Sequence, residues 1–302
     1  MIAQVLQILI DIIFPIFLII GVGMVLDRKL ELDQDTLSAL NFYVFVPALL
    51  FVKIIESDLA VGQMGKIVLF TLGHAALLYG AARLIFSAPP FRDSRTTLTL
   101  GALFYNAGNY GIPLTLLAFG EKFMGQLAAV LMVQNLLCFT VGVGLLEKDL
   151  DLSRRTLGRL IRIPVIPAIA LALAMQGLGV NVPEQLAEPL TYLADGLVPV
   201  ALLTLGVQLS RCRLTSNLPE LSAISGVRLV LSPLLAAGLA LLMGFSGTVT
   251  SFLIVVAGLP VAVNVYILSA KYRQNQDLAS QFVFWTTLVS VVTITMLLTF
   301  FR

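Results

Sequence analysis

Ten apolar segments, each about twenty residues long, follow one another along this chain and are joined by short connections. A helix needs roughly 20 mostly apolar residues to cross the hydrocarbon core of a bilayer. The segments, numbered here as spans one to ten, are residues 3–26, 37–56, 66–86, 96–119, 123–146, 157–177, 186–209, 218–243, 247–270 and 277–300. The pattern predicts an all-α integral membrane protein with ten transmembrane helices.

Composition agrees with a lipid bilayer as the solvent and excludes several classes of function. Hydrophobic residues make up 58% of the chain and charged residues 12%, whereas about 25% of a soluble protein is charged. A net charge of +2 gives no indication of nucleic-acid binding, and one His and two Cys leave no metal or disulfide framework. The motifs GxxxxGK(S/T), HExxH and CxxC are absent, so we expect neither an enzyme nor an ATP-driven pump.

The distribution of Lys and Arg predicts how the spans are oriented. Connections after odd-numbered spans carry Arg28, Lys29, Arg83, Arg92, Arg95, Lys148, Arg154, Arg155, Arg159, Arg162, Arg211, Arg213, Lys271 and Arg273. The other face carries Lys53, Lys66, Lys122 and Arg302. Short cytoplasmic connections are enriched in basic residues, so both termini are expected on the outer, periplasmic side. No basic residue precedes the first span, which we interpret as a retained helix.

The two halves of the chain resemble each other. A separation of 152 residues joins Pro15 to Pro167 and Pro47 to Pro199, and spans four and nine correspond at a similar separation. Each half contains five spans, an odd number, so the second half must insert upside down. Inverted repeats of this kind are typical of secondary transporters, which bind their substrate near the midplane between the repeats.

Spans four and nine each contain glycine and proline in the middle of an apolar segment, in FYNAGNYGIPL (104–114) and GLPVAVNVYILSAKY (258–272). An interior proline destabilises a helix by about 3 kcal/mol or more, and freed backbone groups are tolerated only inside protein or beside water. Pro113 and Pro260 suit the first turn of a restarting half-helix. The N-terminus of such a half-helix attracts anions.

The polar residues around these breaks are candidates for binding a small carboxylate. They are Asn106, Asn109, Tyr110, Pro113, Pro260 and Asn264. The alternative is that the breaks are ordinary kinks of membrane helices. Matching breaks in corresponding spans of both halves favour a binding site.

Other polar residues inside the spans have two interpretations each. A charge near the centre of a span is costly and therefore a functional candidate. Arg228 is either a counter-charge for an anionic substrate or a structural partner of the crossing that pairs with backbone carbonyls. Asp195 is a candidate for lining the pathway or carrying a proton, Asp11 ranks below it, and His74 is expected to be a hydrogen-bonded interior residue.

A last group of residues corresponds between spans five and ten. Gln134 and Asn135 match Thr286 and Thr287 at the separation of 152 residues. Gln134, Asn135 and Thr287 are candidates for a polar cage or a sodium site, or they hydrogen-bond between helices.

Four motifs resemble the auxin efflux carrier family, which includes plant PIN-type auxin exporters and bacterial malonate-type permeases. They are LNFYVFVPALLF (40–51), FYNAGNYGIPL (104–114), ADGLVPVALLTLG (194–206) and GLPVAVNVYILSAKY (258–272). The resemblance implies a sodium/bile-acid-symporter-like fold in which spans four and nine cross. It also implies that Asn41 and Pro47 lie on the scaffold side of the pocket.

The same resemblance implies two domains, an assembly and a location. Residues 1–64 and 156–214 would form a scaffold, and residues 65–155 and 215–302 a transport domain that moves in an elevator-type cycle. A homodimer would form through the scaffold. The chain lacks the long loop of plant carriers, which favours a compact bacterial member in the inner membrane.

Together these features predict a secondary transporter for a small organic anion, auxin-like or malonate-like. The nearest alternative is a sodium-coupled organic-anion symporter of the bile-acid type, and a channel or sensor is more distant. No cofactor is expected, and coupling to protons or to sodium stays open.

Overall fold

The computed structural model describes residues 2–56, 61–147, 163–212 and 217–301. Within these ranges every element of regular secondary structure longer than a single bridge is a helix. The helices are α1 Ile2–Leu30, α2 Gln34–Ile55, α3 Val61–Ile85, α4 Arg95–Leu103, α5 Gly111–Phe119, α6 Glu121–Glu147, α7 Val165–Leu178, α8 Glu184–Ser210, α9 Leu218–Leu242, α10 Gly247–Ala257, α11 Val263–Lys271 and α12 Gln276–Phe301. The prediction of an all-α membrane protein is confirmed.

Seven helices in the described ranges are long and apolar enough to cross a membrane, namely α1, α2, α3, α6, α8, α9 and α12. Spans four and nine are each divided into two short helices, α4 with α5 and α10 with α11. The shorter α7 matches the end of span six, whose predicted start at residues 157–162 lies outside the described residues. The predicted domain limits at 155/156 and 214/215 also lie outside them.

Proline shapes several of the long helices through π-helical turns. Such turns occupy Leu9–Ile13, Asn41–Phe45, Cys138–Gly142 and Gly226–Leu231. In three of the four, a proline follows two residues after the turn: Pro15, Pro47 or Pro233. The proline ring would clash with the carbonyl four residues earlier, and a locally widened turn relieves that clash. Two of these turns carry Asn41 and Arg228.

Helices α1 and α8 approach each other so closely that only glycine fits at the contact. A Cβ atom on Gly206 would lie 2.1 Å from the carbonyl oxygen of Ile20, and one on Gly23 would lie 2.4 Å from that of Leu203. Small residues of this kind let the backbones of membrane helices pack directly against each other. The α1–α8 pair is therefore held by main-chain contact.

The helices pack in two groups that meet along one boundary. The first group contains α1, α2, α7 and α8, with α8 against both α1 and α2, and α7 against α2. The second group contains the remaining helices, in which α3 packs on α6 and α4, α9 on α10, and α11 on α12. The groups meet mainly where α2 contacts α6 and where α1 contacts α12.

Substituting Gly206 with alanine tests the main-chain contact between α1 and α8. We expect Gly206→Ala to lower the free energy of unfolding by about 1–3 kcal/mol, because the added methyl group overpacks the contact. The measurement is thermal unfolding of the purified protein in detergent. Gly21→Ala is the matched control on α1, since a Cβ atom there meets nothing within 4 Å. Equal melting temperatures for the two variants would refute this account.

Candidate functional site

The two interrupted spans meet at their interruptions. Residues 104–110 separate α4 from α5, and residues 258–262 separate α10 from α11. Tyr105 and Val261 face each other as an isolated antiparallel bridge. The crossing of the two broken spans is thus a direct main-chain contact.

Two hydrogen bonds join the crossing segments. The Asn106 N–H donates to the Pro260 carbonyl at 2.8 Å, and the Ala262 N–H donates to the Phe104 carbonyl at 2.9 Å. These bonds give partners to backbone groups that would otherwise be unsatisfied at membrane depth.

The prediction that Pro260 begins a restarting half-helix is wrong. Helix α11 begins at Val263, so Pro260 lies in the extended segment before it. Proline disfavours helical geometry at the residue before it, and the segment stays extended long enough to pair with the other break. Pro113 is the third residue of α5, where an N–H group would have no partner inside the helix.

A cavity of about 660 Å³ lies against the crossing and is also lined by the first half of α2, the end of α8 and α11. Six of the predicted polar residues line it: Asn41, Asn106, Asn109, Gln134, Asn135 and Asn264. The other candidates, Tyr110, Pro113, Pro260, Asp195, Arg228 and Thr287, are absent from its lining. The structure therefore brings the amide side chains together and separates them from the remaining candidates.

Tyr110, Thr287 and Asp195 have other surroundings. Tyr110 is buried with its ring edge-on to Phe17 and its hydroxyl 3.3 Å from the Ser290 hydroxyl. Thr287 donates its hydroxyl to the carbonyl four residues earlier in α12, at 2.6 Å. Asp195 is exposed on α8. Tyr110 thus packs against α1 and α12 and is not among the residues that line the cavity.

Arg228 is fully buried and connects the two broken spans at a point away from the cavity. Its guanidinium donates to the Ala102 carbonyl at 2.5 Å, and also to the Ala257 carbonyl and the Ser232 hydroxyl. It lies 4.9 Å from the centre of the Tyr105 ring. The two carbonyls belong to the last turns of α4 and α10, where backbone acceptors lack helical partners and carry partial negative charge. Of the two interpretations of Arg228, the contacts favour a structural partner of the crossing.

His74 supports the same cluster. Its Nε2 atom lies 3.0 Å from the carbonyl oxygen of Ser232 and 3.2 Å from the hydroxyl oxygen, and that hydroxyl donates to Ala257 at 2.7 Å. His74 is thus a hydrogen-bonded interior residue.

The segment before α5 and the start of α11 line the cavity. The backbone N–H groups of Gly108, Asn109, Val263 and Asn264 have no acceptor among the described residues, and all four residues line the cavity. These positions precede or begin α5 and α11. Their free N–H groups and the helix dipoles give the inner end of the cavity a partial positive charge.

Sequence reasoning missed a polar stripe on α8. Thr204, Gln208 and Arg211 are spaced by four and three residues, which places them on one helical face, and the last two line the cavity. That spacing in the otherwise apolar second half of the helix was the available signal. Arg211 binds Asp27 through two bonds, of 2.6 and 3.1 Å, so its charge is already paired.

The mouth of the cavity also carries acidic residues. Asp33 caps the start of α2 and, like Asp35, lines the cavity. The hydrogen bond from the Thr36 hydroxyl lowers the pKa of the Asp33 carboxyl, which therefore stays ionised at neutral pH. Residues at the ends of spans resemble ordinary solvated connections, so the sequence did not distinguish them.

Comparison with known proteins identifies the family. The profile of the family described as membrane transport protein matches residues 8–151 and 149–298, and the chain belongs to this family. A protein of Methanothermobacter thermautotrophicus named "Uncharacterized transporter" is 27% identical over 87% of this chain and 88% of its own length. A "Putative malonate transporter" of Rhizobium meliloti is 27% identical over 96% of this chain and 95% of its own length. The resemblance to auxin efflux carriers is confirmed, and the chain is a transporter rather than an enzyme.

Replacing Arg228 distinguishes a structural role from a counter-charge. We expect Arg228→Lys and Arg228→Met both to lower the free energy of unfolding by about 1–3 kcal/mol for each carbonyl left unpaired, and the melting temperature to fall accordingly. A lysine keeps the charge but lacks the planar fork that reaches both carbonyls. The measurement is thermal unfolding in detergent, with Arg83→Met on the exposed face of α3 as control. Full stability of Arg228→Lys would favour the counter-charge.

Proposed function

We propose that this membrane transport protein is a secondary carrier that moves a small organic anion by alternating access. The observation that carries the proposal is the cavity at the crossing, where the segment before α5, the start of α11 and several amide side chains converge. Free N–H groups and amides stabilise a carboxylate without a fixed positive charge. A cavity of about 660 Å³ is ample for a small acid.

The relative named for malonate supports a carboxylate as the cargo. Malonate is a three-carbon acid with two carboxyl groups, and the named protein matches nearly the whole of this chain. We propose a malonate-like or auxin-like acid as substrate. Uptake of labelled malonate and of monocarboxylates into liposomes holding the purified protein tests this directly.

Asp33, Asp35 and Arg211 are exposed and line the cavity, so we infer that the cavity opens at their end of the molecule. Basic residues predict that this end faces the cytoplasm. We therefore propose an inward-facing state in a bacterial inner membrane, with both termini on the outer side.

The two helix groups suggest how access would alternate. Gln34, Asn41 and Gln208 come from the first group, and the other cavity amides come from the second. This division supports a scaffold and a moving transport domain, related by an inverted repeat, in an elevator-type cycle. A homodimer through α1, α2, α7 and α8 is part of the same proposal.

For the sodium-coupled alternative, one of the expected ligand residues still has an available oxygen atom. The Asn135 amide nitrogen donates to the Leu131 carbonyl at 2.9 Å, which leaves its oxygen available at the cavity wall. Thr287, another expected ligand, uses its hydroxyl within α12. Uptake with and without an imposed sodium gradient separates the two mechanisms.

Alanine at the cavity asparagines tests the binding site. We expect Asn109→Ala and Asn264→Ala each to reduce uptake about tenfold or more while leaving membrane insertion intact, because each removes a polar contact to the anion. Initial uptake rates in liposomes are the measurement. Asn181→Ala, in the exposed connection before α8, is the matched control. Wild-type rates in both cavity variants would place the site elsewhere.

An ion pair between the helix groups offers a test of the motion. Lys53 on α2 bonds Glu56 on its own helix and Glu121 at the start of α6, both at 2.9 Å. The pair with Glu121 joins the groups at the end opposite the cavity mouth. A movement of one group past the other breaks this pair.

We expect Glu121→Gln to shift the population toward the outward-facing state by up to about fivefold, since an exposed ion pair contributes about 0.2–1 kcal/mol. Cys138 lines the cavity, so its alkylation rate in a Cys212→Ser background reports the inward-facing fraction. Glu121→Gln should slow alkylation. Glu56→Gln, which removes only the contact within α2, should leave it unchanged. Identical rates in the two variants would count against the ion pair as a link between moving groups.

A further inference from the structure

We propose that the transported acid carries a hydrogen-bond donor in addition to its carboxylate, and that Asn41 recognises this donor. The proposal rests on the proposed function and narrows its substrate class. It starts from polar atoms of the cavity wall that have no partner in the structure.

The orientation of the Asn41 amide is fixed by its neighbours. The Thr204 hydroxyl donates its proton to the Val200 carbonyl at 2.7 Å, so toward Asn41 it can only accept. The Asn41 amide nitrogen donates to that hydroxyl at 2.9 Å. A rotated amide would place two acceptor oxygens against each other without a proton. The Asn41 oxygen is therefore the atom left over.

This oxygen is buried without a hydrogen-bond donor among the described residues, on a side chain that is 3% exposed. The Gln208 side-chain oxygen, one helical turn beyond Thr204, is also buried and unpartnered there. Asn135 likewise directs its nitrogen to a backbone carbonyl and keeps its oxygen free of that bond. These residues line the cavity, and each keeps a carbonyl oxygen that can accept a hydrogen bond.

The crossing presents the opposite chemistry. The Asn106 amide nitrogen is buried and has no acceptor in the described part of the chain, and the unpaired backbone N–H groups of Gly108, Asn109, Val263 and Asn264 belong to residues that line the same cavity. A carboxylate has only acceptors, so it fits this end and leaves the Asn41 oxygen unsatisfied. A buried acceptor without a partner is costly, which makes a donor on the ligand favourable.

The charged residues that line the cavity also favour an acid that carries a hydrogen-bond donor. Arg211 is the cationic side chain among the described lining residues, and Asp27 already binds it. Asp33 and Asp35 at the mouth disfavour a second negative charge. A dicarboxylic acid should therefore bind with one carboxyl group protonated, and that O–H group is then the donor. A hydroxy acid carries the same chemistry in its hydroxyl group.

Matched ligands separate the two sources of the donor. In liposomes, uptake is measured for 2-hydroxypropanoate against propanoate and 2-methoxypropanoate, which lack the donor. Malonate is measured against monomethyl malonate at a pH where malonate holds one proton and at a pH where it holds none. We expect donor-bearing acids to be transported about tenfold better than their matched acids, and malonate to lose its advantage when fully ionised.

Two variants assign the effect to Asn41. The donor preference is the ratio of the uptake rate of a donor-bearing acid to that of its matched acid. Asn41→Leu has nearly the same shape and should reduce this ratio to about one, because only uptake of the donor-bearing acids slows. Thr204→Val removes the group that orients Asn41 and should lower the preference in part, with little change of buried volume. The wild-type preference can be measured even if a variant does not fold.

The outcomes are distinct. Carboxylate transport without a donor preference overturns this inference and leaves the proposed function standing. Absence of transport for every acid tested overturns both. A donor preference that survives in Asn41→Leu overturns the role of Asn41, as does an equal loss for all acids.

Discussion

Interrupting two helices inside a membrane leaves backbone groups that must find partners within the protein, and the centre of this molecule follows from that need. Two main-chain bonds join the extended segments to each other. Arg228 donates hydrogen bonds to the carbonyl groups that end α4 and α10, and Ser232 and His74 support it. A buried guanidinium is tolerable here because it is held by several acceptors and by the face of an aromatic ring.

The two sides of the crossing are therefore unequal. The carbonyl groups that end α4 and α10 are satisfied by protein, whereas the segment before α5 and the start of α11 carry unpaired N–H groups and line the cavity. The partial positive charge therefore lies where a ligand can reach it, and Arg228, the buried cation among the described residues, lies away from the cavity. This arrangement favours a weakly held anion, which suits a carrier that must release its cargo as well as bind it.

Much of this could be predicted from the sequence because its signals are local. The apolar segments gave the helices, and Gly and Pro within spans four and nine gave the positions of both breaks. Contacts between distant residues were less accessible: Arg228 and Ala102 lie 126 positions apart, and no local pattern indicates that they meet. Pro260 was misplaced because the pairing of two extended segments, a tertiary effect, sets where α11 begins. Gln208 was overlooked because one amide near the end of a span looks like an ordinary helix terminus.

The π-helical turns have a further consequence for how this chain can change over time. Such a turn accommodates one residue more than an α-helical turn, so the helix on either side keeps its own facing direction. Loss of a single residue at Asn41–Phe45 would be absorbed by rewinding that turn, and the apolar faces before and after it would remain in place. The same loss in a regular helical turn would rotate everything beyond it by about 100°. A relative that is one residue shorter within a membrane helix should therefore have lost that residue at one of these turns. Such a deletion at the turn in α2 would remove or reposition Asn41.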